Sequence, residues 1–332
     1  CPRGEIGRHK GLKIFMIDLK NFNSAILEKK DTNSILELIN LIQPNTPWNK
    51  EHLEWQFFEC PAGPAIIYGI KNLEGKVVAI YSAIPKKIKL ENQEIKGRMI
   101  QDVMTHPDYR GRGFLHYLAD LCLNDIKKKG EVGYTFPNEK SEKSFRRNNW
   151  HELCSIPLRI KILDKNPESK VILDITSVDG NFDQSISSIW KHSGIKVGVK
   201  RDAEFLNWRY RKPGAKYFKF ILNSNQGFLI LKIFNEKEKN FLHICDLVVR
   251  EDKKDLILNA LQFCEQFGKK NNCQVITSWS NKNHSYAEYY DRFKVNLNSI
   301  TRYSFVFFNK EKFKNLKNPE MWYLSQGDSD VY

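Results

Sequence analysis

The stretch Gln101-Asp102-Val103-Met104-Thr105-His106-Pro107-Asp108-Tyr109-Arg110-Gly111-Arg112-Gly113-Phe114 sets the reading of the chain. Arg98 to Thr105 has the composition of a strand and stops at His106-Pro107. A helix is expected over Phe114 to Lys129. Leu115, Leu118, Leu121 and Cys122 keep helical spacing there, and Gly130 ends it. The first N–H groups of a helix have no partner within it, and the helix dipole makes that end attractive to anions. Gly111 and Gly113 let a ligand approach the backbone because no Cβ intervenes, and Arg110 and Arg112 add charge. A pyrophosphate is the expected ligand of such a turn. The spacing is not Gly-x-Gly-x-x-Gly, and no acidic ribose partner stands at the distance a dinucleotide site needs.

Working outward, Pro64 to Ile70 and Lys76 to Ala83 read as strands joined by Asn72-Leu73-Glu74-Gly75. Lys87 to Leu90 and Glu94 to Met99 read as a second hairpin. Glu131 to Phe136 is a short strand, Ser141 to Asn148 a short helix, and His151 to Leu163 extended chain. The second half repeats the order. Gly227 to Phe234 and Phe241 to Val249 are strands, and Lys253 to Lys269 is a helix. Cys273 to Trp279 is a strand, His284 to Phe293 a helix and Ile300 to Phe308 a strand. Asp164 to Lys170 is a polar linker. One direct echo supports duplication. Leu53-Glu54-Trp55-Gln56-Phe57 with Pro61 matches Leu206-Asn207-Trp208-Arg209-Tyr210 with Pro213, 153 residues later.

Pro107-Asp108-Tyr109-Arg110-Gly111-Arg112-Gly113, between a strand and a helix, resembles the Pro-x-x-Arg-Gly-x-Gly signature of the GNAT superfamily of acyl-coenzyme A N-acyltransferases. The resemblance covers roughly residues 12–163 and, through element order alone, extends over 171–310. It departs mildly at Leu115, where a small residue is common. It implies an α/β (α+β) chain of two GNAT-like domains in tandem, each a mixed, mostly antiparallel twisted sheet flanked by helices. Residues 12–163 would be the acetyl-CoA domain, 171–310 a degenerate copy shaping the acceptor site, and 311–332 a C-terminal tail. By the same resemblance the backbone at Val103, Met104 and Thr105 would pair with the pantetheine arm. The amides of Arg110, Gly111, Arg112, Gly113 and Phe114 would hold the pyrophosphate. Asn138 and Phe145 would lie beside the coenzyme. Many members carry a tyrosine as general acid on the helix that follows, and the matching position here is Phe145.

Acyl transfer to an amine needs a base for the amine and an N–H group for the carbonyl oxygen. Asp102, Gln101 and Glu59 are base candidates. Regular alternation puts Gln101, Val103 and Thr105 on one face and Asp102 on the other, and a β-bulge would redirect Asp102. His106 and His116, which flank the turn, read as surface or capping residues.

The second half has Arg250-Glu251-Asp252-Lys253-Lys254 where the first has its glycines, and two acids there repel a phosphate. This half is expected to bind no coenzyme and to supply acceptor contacts, from Trp208, Arg209, Tyr210, Tyr289 and neighbouring Tyr286 and Tyr290. In the tail Met321 to Asp330, Asp328 and Asp330 are candidates to hold an ammonium group.

The chain has 332 residues, 41% of them hydrophobic and 12% aromatic, enough for a core in each half, which excludes a wholly disordered protein. No apolar run reaches the roughly 18 residues of a membrane helix, and the start Cys1-Pro2-Arg3-Gly4-Glu5 does not read as a secretory leader. Seven cysteines without a CxxC pair fit reduced thiols and a cytoplasmic location, and eight scattered histidines give no zinc pattern, so no metal is expected. The net charge of +14 suits an anionic ligand.

The expected activity is transfer of an acyl group, acetyl or another, from acyl-CoA to a primary amine. The acceptor is expected to be a small molecule, an amino sugar or nucleotide-linked amino sugar of bacterial surface-polysaccharide synthesis. Nucleic acid is not an expected partner, and no signal for oligomeric state is present. A FemAB-like transferase using aminoacyl-tRNA, and a non-catalytic acyl-CoA sensor, are the alternatives. The Arg-Gly-x-Gly turn speaks against the first, and Phe145 motivates the second.

Overall fold

The computed structural model describes residues 19–164, 173–281, 283–291, 293–295, 302–309, 311–329 and 332. The start of the expected first domain, most of the linker, residues 300 and 301, and Asp330 lie outside them. In chain order the first half has strands β1 (Phe22–Leu27), β2 (Ile66–Asn72), β3 (Val77–Leu90), β4 (Gln93–Thr105), β5 (Val132–Thr135), β6 (His151–Ile156) and β7 (Leu158–Ile162). The second half has β8 (Ile175–Ser177), β9 (Val197–Val199), β10 (Tyr217–Leu222), β11 (Gly227–Glu236), β12 (Lys239–Val249), β13 (Val275–Trp279), β14 (Lys294–Val295) and β15 (Arg302–Phe307). The helices are α1 (Thr32–Ile42), α2 (Lys50–Phe57), α3 (Phe114–Lys129), α4 (Glu139–Arg147), α5 (Ile186–Lys191), α6 (Ala203–Arg209) and α7 (Asp255–Lys270).

Two mixed sheets result, ordered β1-β2-β3-β4-β5-β15-β6, with β9 on β3, and β14-β7-β13-β12-β11-β10-β8. Each has one parallel pair, β4 with β5 and β12 with β13, in otherwise antiparallel surroundings. This is the expected fold class, two similar sheets flanked by helices. The pairing nevertheless crosses the division expected between 163 and 171. β7 lies in the second sheet beside β13, and β15 lies in the first sheet beside β5. Each half gives a strand to the equivalent position of the other sheet. Pro157 separates β6 from β7, so adjacent strands of one extended stretch enter different sheets.

The two hairpins expected before the glycine turn are present but share a strand: β2 with β3 forms the first and β3 with β4 the second, because β3 and β4 run unbroken for 14 and 13 residues. Pro85 does not break β3. Its carbonyl, which points the same way as its nitrogen, accepts from Cys60 Sγ on the side where β2 has already ended. The helix expected over His284 to Phe293 is only a 3₁₀ turn, Ala287–Tyr290. Asn281 Oδ1 takes the N–H of Asn283, and His284 Nδ1 takes that of Tyr286, so side chains compete for the donors a helix would use.

The main apolar cluster joins both halves, from Leu27, Trp55 and Met99 to Trp208, Leu247 and Leu324. A smaller one lies under α3, where Phe114, Leu118 and Ile126 meet Tyr81 and Ile100. The C-terminal segment is not a loose end. Tyr323 to Ser329 are buried, and Gln326 donates to Thr277 on β13. The segment lies against β12, where the second sheet's parallel pair diverges.

Candidate active site

β4 and β5 pair only from Gly97/Val132 to Met99/Tyr134. Beyond that they part, and Thr135 donates to Ile100 O at the fork, 2.8 Å. β4 continues to Thr105 with β3 on one side only. His106 N–H bonds Val78 O on β3, so alternation turns the backbone of Thr105 and Val103 toward the gap.

One extra residue sits in β4 where Ile80 pairs with Met104 but Ser82 with Gln101, and Asp102 takes φ of +50° there. This is the bulge the sequence left open. It changes the faces expected from regular alternation. Val103 joins Ile100 toward α3, while Met99 and Met104 pack in the main cluster on the other face. Asp102 Oδ2 accepts from Gln101 Nε2 at 3.0 Å and Gln56 Nε2 at 3.3 Å.

The turn after β4 has the form its glycines require. Gly111 and Gly113 have φ of +79° and +80°, a region where a Cβ is strained. Gly113 is the N-cap of α3 with no capping side chain, so the first N–H groups of α3 stay uncovered by it. Open space surrounds the place of a Gly111 Cβ. Arg112 lies over the Phe22 and Tyr109 rings, Phe22 packs on Phe114, and Arg110 Nε reaches Thr105 O. His106 accepts from Asp108 N, and His116 meets Asn148 and Asp120, in agreement with capping and surface roles.

A pocket of about 320 Å³ opens on the opposite side of the fork. Gln56 and Trp55 come from α2, Ile84 and Lys86 from β3, and Met99 and Gln101 from β4, with Tyr134 from β5. The second half supplies Phe205, Trp208 and Arg209 from α6 and Gly327, Asp328 and Ser329 from the tail. Of the residues the sequence singled out, Gln101, Trp208, Arg209 and Asp328 meet here.

The others do not. Glu59 pairs with Arg211, both largely exposed. Tyr210 is buried and donates to Asp246. Asn138 caps α4 by accepting from Ser141 N at 3.0 Å. Phe145 is core, 5% exposed and edge-on to Trp150. Tyr286 and Tyr290 line a separate cavity of about 340 Å³ in the second half, and Tyr289 lines neither.

Lys86, Gln56 and Tyr134 were missed. Lys86 had a signal. It interrupts the inward-facing run Ile84, Ile88, Leu90 of β3, where a lysine has no place in a plain core.

Asp328 is anchored on one oxygen. Its Oδ2 takes Arg201 at 2.7 Å and Ser325 N at 2.9 Å, while Oδ1 has no hydrogen-bond partner in the protein. Burial pushes its carboxyl upward against the pull of Arg201. Arg201 is fully buried. Burial opposes its charge, but Asp246 and Asp328 hold it protonated.

In the second half the same positions are closed. Glu251 stands against Gly194, its N–H bonds His192 O, and α7 follows a 3₁₀ turn, Glu251–Lys253, that contains no glycine. Among the described residues no group of three or more His, Cys, Asp or Glu could hold a metal, and no helix is long and apolar enough to cross a membrane.

Residues 26–150 match the family model of the acetyltransferase (GNAT) domain. Residues 26–150 thus form a GNAT domain of the acetyltransferase type, and the glycine turn Arg110–Gly113 lies within them. A GCN5-related N-acetyltransferase from Anabaena variabilis superimposes with a TM-score of 0.67 at 12% identity, covering 86% of this chain and 72% of that one. A conserved protein of unknown function from Enterococcus faecalis gives 0.65 at 16%, with the same coverage. The N-myristoyltransferase of Saccharomyces cerevisiae, solved with bound myristoyl-CoA, gives 0.58 at 10%, covering 87% of this chain and 83% of that one. At these identities the likeness is one of fold, and it spans both GNAT-like halves. No curated protein sequence matches the chain.

Proposed function

We propose that this GNAT protein moves an acyl group from acyl-CoA to a primary amine held between its two halves. The observation that carries it is the position of the Asp328 pocket. It adjoins the fork of β4 and β5, with the glycine turn at the far end of β4.

The residues present fit acyl-CoA. The outward backbone of Val103 and Thr105 can pair with an extended amide-bearing arm, and the uncovered N–H groups from Gly111 to Phe114 can hold a pyrophosphate. Bound acyl-CoA supplies an activated thioester. Asp328 Oδ1 is free to accept an N–H of the acceptor and then its proton. Gln101, held by Asp102, can orient the amine, and a β4 N–H can meet the carbonyl oxygen. The new N–C bond forms as the C–S bond breaks; the proton the amine gives up goes to Asp328, and the leaving thiolate takes one from water. Phe145, in the core, offers no acid for that thiolate.

For the acceptor, the net charge of +14 supports an amine that brings negative charge with it, and a nucleotide-linked amino sugar is one such molecule. Cys60, Cys122, Cys245, Cys264 and Cys273 are free thiols, which supports a reducing, cytoplasmic setting.

Calorimetric titration with acetyl-CoA tests the reading. One site per chain, lost in Gly113→Trp, is expected, followed by thiol release in a screen of primary amines. No binding to the wild type, or binding without transfer to any amine, overturns it.

A further inference from the structure

Lys86 is the feature that acyl transfer alone does not explain. It is 6% exposed, on the inward face of β3, in the wall of the acceptor pocket. Its Nζ lies 4.0 Å from the Trp208 ring centroid and 5.3 Å from that of Phe205. Among the described residues Nζ forms no hydrogen bond and no ion pair. The rings favour a cation, yet no anion of the protein reaches it. The other cation of the wall, Arg209, is spent on the carbonyls of Gly327, Ser329 and Tyr332 and on the Tyr217 hydroxyl. Asp328 Oδ1, in the same wall, is a buried acceptor with no donor.

A buried charge without a partner is costly, and so is a buried acceptor without a donor. One pocket holding one of each is complementary to a molecule that carries both a cationic and an anionic end. We propose that the acceptor is a small amine bearing a carboxylate or phosphate, its amine at Asp328 and its anionic group at Lys86.

This names the substrate class of the site proposed above and rests on that reading for the fate of the amine. Lys86 also lines a second cleft, with Cys60, Pro61, Ala62 and Phe205, so a substituent beyond the anionic group has room to extend there. Burial lowers the Lys86 ammonium to about 8. Cys60 and Asp328 act to keep its charge, while Arg209 and Arg201 act against it. The group is therefore mostly charged at neutral pH and ready to receive an anion.

The test is calorimetric binding of β-alanine, phosphoethanolamine and ethanolamine to the full chain without acyl-CoA, for wild type, Lys86→Met and Lys86→Arg. β-Alanine or phosphoethanolamine should bind at least tenfold tighter than ethanolamine, and whichever does so names the anion. Lys86→Met should erase that preference and Lys86→Arg should keep most of it, with acetyl-CoA affinity the same in all three proteins. Equal binding of the three amines to wild type, or an unchanged preference in Lys86→Met, overturns the proposal. Should Lys86→Met fail to fold, the wild-type preference between pH 7 and 9 decides. It must shrink as Lys86 loses its proton, and a constant preference overturns the proposal. Binding with this preference but no acyl transfer sinks the transferase reading and leaves the anion site standing.

Discussion

Trp55 and Trp208 exchange hydrogen bonds across the junction of the two halves. Trp55 Nε1 donates to Trp208 O at 2.7 Å, and Trp208 Nε1 donates to Trp55 O at 2.9 Å, with the rings stacked 5.2 Å apart. The exchange is symmetric, as it must be when equivalent residues of two copies meet about a pseudo-twofold axis. The other face of the Trp208 ring region carries Lys86, so the joint between the halves is also a wall of the pocket.

Because both carbonyls are buried, removing one indole donor leaves an acceptor unpaired. Trp208→Phe or Trp55→Phe should each cost about 1–3 kcal/mol in urea unfolding. The double variant should cost less than the sum of the two, since it removes stacking and reciprocal bonds that are lost together. Strict additivity would mean that the pair contributes no joint stabilisation.

At Gly111 a Cβ meets no protein atom but must adopt φ of +79°. Gly111→Ala should therefore fold, with a loss of about 1 kcal/mol from left-handed strain. The methyl would still stand where a phosphate approaches, so acetyl-CoA affinity should fall about tenfold, more than the stability change accounts for. Unchanged affinity in a calorimetric titration would place the pyrophosphate elsewhere.

Asp328 and Asp102 separate cleanly. Asp328→Asn should lower kcat/KM by about a hundredfold, within the usual contribution of a general base, with acetyl-CoA binding retained. Asp102→Asn should cost less than tenfold, because asparagine tolerates the left-handed backbone at that bulge. Glu59→Gln, at an exposed ion pair, should change neither constant. The reverse order of the two aspartates would return the base to β4.

Burial lowers His243 and His284 to about 4. Each is neutral in the folded protein but takes a proton near pH 6.5 when unfolded. The stability they support is full above pH 6.5 and is lost as pH falls through 6.5 toward 4, by about 3 kcal/mol for each residue at the limit. His284→Gln keeps an acceptor for Tyr286 N but cannot titrate. Its unfolding midpoint should fall less between pH 7.5 and 4.5 than that of the wild type. Parallel curves would show that His284 plays no part in acid unfolding.

The elements and the glycine turn were legible because they are local. The Phe114–Lys129 helix has the expected bounds, set by glycines on both sides and apolar residues at helical spacing. The Trp55 and Trp208 echo marked the duplication because buried indoles at equivalent places leave the same short pattern. The pocket at the fork of β4 and β5 was legible only in fragments. Trp208, Arg209, Gln101 and Asp328 were singled out, but nothing in their spacing says that they share a wall. Lys86 was missed although its place in the β3 pattern is anomalous.

The sequence alone determined the elements, the duplication and the glycine turn, since each depends on residues within one or two turns of chain. Tertiary structure decided the rest. It fixed which strand enters which sheet, because β7 and β15 carry no mark of the partner each will find. It turned Val103 away from the face of Gln101, because one extra residue in β4 resets the alternation after it. It also brought Asp328 from the end of the chain to the fork of β4 and β5, through a buried ion pair with Arg201 that joins residues more than a hundred positions apart.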